Sequence, residues 1–573
     1  MSLRHRPTPV GPTPVGPAPS GTVPASVLHA GRALALLTSM SLAACDLVSL
    51  EKLFDQGSLS SATAAPTTGG DVRDHEPGTL IVGLTADALG LDPARFTDNE
   101  SVEVCEQVYE HLVRYAQNSV EIEPALATHW DVAAGGTEWT FHLRSGVRFH
   151  DGTPLDAAAV VFSFERQRDP HHPYHTSDFT YWENNYRYIE KIEAQGRMVV
   201  KIKTDRPYAP LLALLATFPV SIVSPEAVRL WGEDFKNHPV GTGPFRFVSW
   251  SRGDRIVLER NEQYWGRKAR LRRLVFRTIP DARQRLIALE GGAVDVAYNL
   301  LPEELQFVEL HPDLKLHRIA GQNVAYLAMN TMRAPWGDVH VRRAVNHAIN
   351  KVPIVKLIYQ GQGVPATGPL PPTIWSYRDD VARYPFDRER ARALLIDAVA
   401  RKALDRNSKY LFYVPRTTRQ YLPNPEQVAA VIQRNLKEVG IETEVVAQDF
   451  AAHLEAVRSG RHDLCLLGWA GDNSDPDNFY SLLDKDNTTL GMASNVAFFR
   501  NAELHGLLTY ARETQDRAER ERYYRRAQEI IAREAPWVPL AHAQLAVATR
   551  EDVAGFAIHP SSLVYYHETW LLR

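Results

Sequence analysis

The sequence predicts an α/β protein built from more than one lobe, and three observations carry that prediction. Between residues 426 and 470 the chain reads as amphipathic helix, glycine, strand, helix, buried strand. The last strand of the series, Asp463-Leu464-Cys465-Leu466-Leu467-Gly468-Trp469-Ala470, is apolar enough to be covered on both faces. It then breaks at once into Gly471, Asp472, Asn473, Ser474, Asp475 and Pro476. An aromatic and several carboxylates are thereby delivered to the carboxyl end of a buried strand, where open α/β sheets build ligand sites. Finally, 573 residues exceed what a single ordinary core encloses.

Composition narrows the function. With 44% hydrophobic and 23% charged residues the chain reads as globular. A net charge of −4 offers no basic footprint for nucleic acid. No apolar run reaches the roughly 18 residues of a conventional membrane span. The acidic loop at 472–477 lacks the central Gly and the terminal Glu of a calcium loop. No nucleophile elbow, HExxH or paired-carboxylate motif stands out, so no enzyme activity and no cofactor are expected.

From the N-terminus, Ala33 opens a short apolar run that closes on Leu42-Ala43-Ala44-Cys45. This tetrapeptide resembles a bacterial lipobox, which implies a removed signal segment over 1–45 and lipidation of Cys45. Asp46 after the cysteine implies retention at the inner membrane, and the Ser/Thr/Gly-rich stretch 46–77 reads as a flexible tether. The folded body then opens with a strand over 78–84. Helical spacing follows over 100–115, and a strand over 139–144 turns at Ser145-Gly146 and returns over 147–150 as a hairpin. Asp156 is placed to cap a helix that begins at Ala157, Asp338 to cap one near 341–351, and Gly440 to end the helix over 426–439. In Gly241-Thr242-Gly243-Pro244 the glycines permit a sharp backbone entry. Cys105 and Cys465 sit in apolar patterns and read as buried thiols.

Several of these blocks, in order, are similar to one known family. The run Phe149-His150-Asp151-Gly152-Thr153-Pro154-Leu155, leading into Val160-Val161-Phe162-Ser163, resembles a signature of the bacterial extracellular solute-binding proteins, family 5. Further matching blocks are Val240-Gly241-Thr242-Gly243-Pro244-Phe245, Arg260-Asn261-Glu262-Gln263-Tyr264-Trp265-Gly266, Ala288-Leu289-Glu290-Gly291-Gly292-Ala293-Val294-Asp295, Asn323-Val324-Ala325-Tyr326-Leu327-Ala328-Met329-Asn330 and Val341-Arg342-Arg343-Ala344-Val345-Asn346. The resemblance spans residues 78–573. It implies a hinged, two-lobed periplasmic-binding-protein fold of the type II, cluster C-like kind, with an extra inserted domain. Lobe I is expected at 78–106, 240–322 and 543–573, the inserted domain at 107–239 and lobe II at 323–542. The function implied is that of a monomeric periplasmic receptor, tethered by lipid to the inner membrane. It would capture dipeptides or short peptides by hinge closure and deliver them to an ABC permease.

Enclosing a peptide away from water requires a partner for each terminal charge, because an unpaired buried charge costs several kcal/mol. Asp472 matches the family's carboxylate for the α-amine. Arg419, in Arg416-Thr417-Thr418-Arg419-Gln420-Tyr421, matches the dipeptide binders' arginine for the α-carboxylate, which a guanidinium engages with two hydrogen bonds. Trp469 and Tyr421 are expected to wall the pocket. A clamp on both ends fixes ligand length and favours dipeptides. The apolar Ala88-Leu89-Gly90-Leu91-Asp92-Pro93 loop leaves the contacts of lobe I unassigned. The alternative is a receptor of the same fold for a metal complex or haem, an opine or an oligosaccharide. The loop His171-His172-Pro173-Tyr174-His175 is where a metal would be sought.

Overall fold

The computed structural model describes residues 76–573 apart from Thr97, Asn118 and Arg406. The expected signal segment with Cys45, and the expected tether as far as residue 75, lie outside the described residues. The strands that organise the molecule are, in chain order, β1 (Thr79–Leu84), β2 (Ala127–Val132), β3 (Glu138–Leu143), β4 (Ile189–Ala194), β5 (Val199–Thr204), β6 (Phe245–Ser251), β7 (Arg255–Arg260), β8 (Arg273–Thr278), β9 (Val296–Ala297), β10 (Leu314–Ala320), β11 (Asn323–Met329), β12 (Gly363–Pro365), β13 (Lys409–Pro415), β14 (Glu442–Gln448), β15 (Leu464–Ala470) and β16 (Trp537–Arg550).

Twelve of these strands form one extended sheet in the order β14-β13-β15-β11-β16-β9-β1-β8-β7-β6, with β10 and β12 paired to β16. Its pairing is mixed. β1 runs parallel to β8 and β9, and β13 runs parallel to β14 and β15, whereas β11 is antiparallel to both β15 and β16. β16 is the strand that joins the two halves. Its first part, Trp537 to Ala541, pairs with β11, and its last part, Gln544 to Arg550, pairs with β10. The chain crosses a second time between Ala320 and Asn323. There the Asn323 side chain donates to the Ala543 carbonyl at 3.0 Å and accepts from the Ala543 amide at 2.7 Å. One side chain thus ties both crossing strands together.

Each half of the sheet has its own apolar core. Leu80, Val82, Val104, Phe245, Leu258 and Phe276 lie in one, and Leu327, Val345, Phe412, Ile432, Leu464 and Val538 in another. β1 and β11 are buried at every position, as strands covered by helices on both faces must be. The protein is therefore a two-lobed α/β fold. A third, smaller unit carries the antiparallel sheet β2-β3-β5-β4 and a separate core around Phe141, Val160, Phe164 and Ile202. Helix Pro225–Trp231 packs instead against the first core, through Ala227 and Val228.

Two helices matter below: α1 (Asn99–Val108) and α2 (Ala157–Arg168). The expected caps are in place, with Asp156 accepting from the Ala159 amide at 3.1 Å and Asp338 from the His340 amide at 2.7 Å. Gly440 follows its helix at φ 90°, the left-handed conformation glycine tolerates best.

Three local expectations are corrected. The helical spacing over 100–115 is realised only as far as Val108, because Glu110 is drawn away by Thr242, Tyr264 and Trp265, and Val113–Tyr115 pairs as a strand with Ile122–Pro124. Tertiary partners override local propensity there. The return arm at 147–150 is not a strand. Both edges of β3 are already occupied, by β2 and β5, so 147–150 keeps only a bridge from Arg148 to Pro154. Gly241 is needed for close approach rather than for a turn, since a Cβ there would lie 2.2 Å from the Val108 carbonyl oxygen.

Candidate functional site

The loop after β15 contains three carboxylates beyond the strand, and the structure separates their roles. Asp475 is buried against Arg520, with both carboxylate oxygens 2.8 Å from Nη2. Asp477 accepts from Arg512 Nε at 2.6 Å. Asn473 and Asp475 also accept from the backbone two residues on, at 3.0 Å each, which makes a rigid Asx-turned loop. Asp472 differs. Among the described residues it has no cationic partner, only the hydroxyl of Tyr181, which donates to Oδ2. Burial pushes its carboxyl up to about 6. The neighbouring acids build the loop, and Asp472 is left over.

β15 positions the rest of this wall. Gly468 has no room for a side chain, because a Cβ would sit 2.2 Å from Cδ2 of Tyr421 and 2.6 Å from the Val324 carbonyl oxygen. The Tyr421 ring therefore packs directly against the strand at Gly468. Burial raises its phenol to about 12, so it stays neutral. Trp469 is fixed by an indole hydrogen bond to Asn478 Oδ1 at 2.7 Å. Arg419 is presented by a tight turn in which its amide and carbonyl bond to Leu422 at 3.1 and 2.8 Å. Its guanidinium lies 3.7 Å from the centre of the Phe450 ring. Arg419 has no ion-pair partner among the described residues, and its buried Nε has no hydrogen-bond partner. A stacked, half-buried guanidinium with free donors is arranged to receive a planar anion.

Asp472, Arg419, Trp469 and Tyr421 all line one cavity of about 480 Å³ between the lobes. The opposite wall comes from the first half of the sheet and was not legible as a site in the sequence. It includes Glu100, Glu103 and Glu106 of α1, together with Tyr298. The inserted unit adds Tyr181 and Phe218. One signal did exist for α1, since its buried face carries Glu103, Glu106 and Gln107 beside Val104 and Val108. Acids on the buried face of a helix call for a partner or a ligand.

The histidine-rich loop is used locally. His172 Nδ1 accepts from the Tyr174 amide at 3.3 Å, and His175 Nδ1 is 3.1 Å from the Arg166 carbonyl. Among the described residues, side chains that converge as a metal site do so at His129, Asp131 and His142, and at Asp484, Asp486 and His505. Neither group lines the cavity. Cys105 and Cys465 are buried free thiols.

What the cavity can do follows from these parts. It offers an acid and a guanidinium, both without a counter-charge among the described residues, beside aromatic walls. It can hold a molecule that carries a cation and an anion.

Comparison with known proteins identifies the family. The family described as bacterial extracellular solute-binding proteins, family 5 Middle, matches residues 121–490. Heme-binding protein A of Haemophilus influenzae is 35% identical over 546 residues, covering 92% of this chain and 97% of its own. The dipeptide-binding protein of Escherichia coli is 33% identical over 499 residues, covering 84% of this chain and 92% of its own. The Helicobacter pylori periplasmic binding protein DppA, solved with the peptide STSA, superposes with a TM-score of 0.74 at 33% identity, covering 86% of this chain and 98% of its own. By fold and by sequence, this chain belongs to the bacterial extracellular solute-binding proteins of family 5.

Proposed function

We propose that this protein is the ligand-capturing receptor of an ABC importer, and that it encloses dipeptides or short peptides between its lobes. The observation that carries the reading is the pair Asp472 and Arg419, which face one cavity and have no counter-charge of their own among the described residues. A zwitterionic peptide supplies both missing charges at once. Asp472 takes the α-ammonium and Arg419 the α-carboxylate, while Tyr421 and Trp469 cover the main chain. The dipeptide binder of E. coli and the peptide complex of H. pylori DppA support this choice of ligand class. The chain makes and breaks no bond. Affinity comes from closure of the lobes about the two crossings at 320–323 and 541–544, and docking on an open permease returns the ligand by favouring the open state. The lobes are read as 78–106 with 240–322 and 543–573, and 323–542, around an inserted domain at 107–239. A lipid on Cys45 would hold this monomeric receptor at the periplasmic face of the inner membrane, within reach of its permease. No helix among the described residues is long and apolar enough to cross a membrane.

Haem is the second reading, because the H. influenzae relative is a heme-binding protein. Thermal melting of the ligand-stripped protein separates the two. A ligand at about 100 times its dissociation constant adds roughly 2.7 kcal/mol to stability. A rise in melting temperature with Ala-Ala, lost with N-acetyl-Ala-Ala, supports a peptide receptor that recognises the amine. A rise with tetra-alanine as well keeps the peptide receptor and removes the limit on length. A rise with haem alone overturns the peptide reading.

A further inference from the structure

The wall opposite Asp472 is acidic, and it carries more carboxyl groups than a zwitterion needs. Lining the cavity are four carboxylates, Glu100, Glu103, Glu106 and Asp472, against two guanidinium groups, Arg419 and Arg458. Asp472 and Arg419 answer the two peptide termini in the reading above, on which this inference rests. Three acids and one arginine remain.

The acids on α1 are spaced three residues apart, so they follow one face of the helix. Two of them are occupied. Glu100 accepts from the Thr85 hydroxyl, and Glu103 accepts from Tyr298 at 2.7 Å. Glu106 is different. It is 8% exposed, lines the cavity, and its Oε1 has no hydrogen-bond partner. His111 Nε2 lies 3.6 Å from that oxygen, too long for a hydrogen bond. That nitrogen is 3.1 Å from Ser221 Oγ instead, and burial pulls the imidazole down to about 4, so it carries no charge at neutral pH. Arg114, the next basic residue along the chain, is spent on Glu123 at 2.7 Å. Glu106 is thus a deeply buried carboxyl among the residues that line the cavity, and no charged cation is paired with it among the described residues. Burial accordingly holds it up at about 8. Native structures rarely leave such a group unpaired without a use.

We infer that Glu106, with Glu103 beside it, forms a subsite for a cationic side chain, so that this receptor prefers peptides containing lysine or arginine. A ligand ammonium or guanidinium supplies the charge the protein withholds.

The test is calorimetric titration of Ala-Ala, Ala-Lys, Lys-Ala and Ala-Gln into the ligand-stripped protein and into Glu106→Gln. Close charge pairs at interfaces couple by about 1.5 kcal/mol or more, so one of the lysine peptides should bind at least about tenfold more tightly than Ala-Ala. Ala-Gln should resemble Ala-Ala. In Glu106→Gln the lysine preference over Ala-Ala should fall to about twofold or less, with circular dichroism and thermal melting to show that the variant is folded; Glu103→Gln should reduce the preference partly. Equal binding of Ala-Ala and both lysine peptides overturns the inference and leaves the peptide receptor standing. A lysine preference that survives Glu106→Gln also overturns it, as does Ala-Gln matching the better lysine peptide. If none of the four peptides binds, the peptide reading itself fails, and this inference with it.

Discussion

Asp472 should make peptide affinity depend on pH in a defined window. Its carboxyl is pushed up to about 6 from an ordinary 3.8 because it is buried with only the Tyr181 hydroxyl for company. A protonated Asp472 cannot hold an ammonium ion, so a peptide must bind the ionised form. The α-amine titrates near 8 and the α-carboxylate near 3.5, which keeps the ligand zwitterionic from pH 4.5 to 7. The contribution of Asp472 to Ala-Ala affinity should therefore be complete above about pH 6 and be lost about tenfold per pH unit below it. Between pH 7 and pH 4.5 the dissociation constant should rise about 30-fold, within a ceiling of about 3 kcal/mol set by the gap from 6 to 3.8. Titration calorimetry at four pH values measures it, with circular dichroism to confirm folding at each. Glu103 and Glu106 line the same cavity and are raised to about 7 and about 8, so their influence lies at higher pH. In Asp472→Asn the step between pH 6 and pH 4.5 should vanish and affinity at pH 7.5 should fall by about 2–5 kcal/mol, the usual loss on removing one partner of a buried charge pair. Stability should move the other way. A carboxyl whose folded value is raised contributes stability that is full below 3.8 and lost as pH rises through about 6. Asn carries no such loss, so the variant should melt no lower than the parent at pH 7.5. A pH-independent dissociation constant, or an Asn variant that binds normally, would refute the assignment of Asp472 to the ligand amine.

Three further outcomes follow from the packing. Gly468→Ala drives a methyl group into the Tyr421 ring and the Val324 carbonyl, so differential scanning calorimetry should show about 1–3 kcal/mol of destabilisation, with weakened peptide binding in the folded protein. Asp92→Asn breaks the buried two-bonded pair with Arg166, whose contacts are 3.0 and 2.5 Å, and should destabilise by about 3–5 kcal/mol in urea unfolding while leaving peptide affinity unchanged. Asn323→Ala removes both side-chain bonds to Ala543 at the crossing of the lobes, at about 1 kcal/mol for each, and should speed amide exchange at Ala543 before it affects the core strands.

The parts of the molecule legible in the sequence were those governed by local pattern. The helix, glycine, strand, helix, strand series at 425–470 appears as Pro425–Glu438, Gly440, β14, Phe450–Arg458 and β15, because burial periodicity and caps are written in neighbouring residues. The helix predicted over 100–115 stops at Val108 because what ends it, Thr242, Tyr264 and Trp265, lies far along the chain. The same divide runs through the site. Asp472, Trp469, Tyr421 and Arg419 stand in recognisable blocks, and the structure gathers them at one cavity. Tyr181, Tyr298 and Glu106 come from three separate stretches with no motif between them, and only the folded chain brings them together. Glu106 in particular reads in sequence as one more acid on a charged helix. Its significance is an Oε1 without a hydrogen-bond partner among the described residues, which is a property of three-dimensional packing.

The two-ended clamp is tested most directly by crossing a ligand change with a protein change. Ala-Ala and its C-terminal amide are titrated into the parent protein and into Arg419→Ala. If Arg419 holds the α-carboxylate, amidation weakens binding to the parent by at least about tenfold, as expected for loss of a charge-assisted pair, and makes little difference to the variant. If amidation costs the same in both proteins, the carboxylate is held elsewhere and Arg419 is not the second jaw of the clamp.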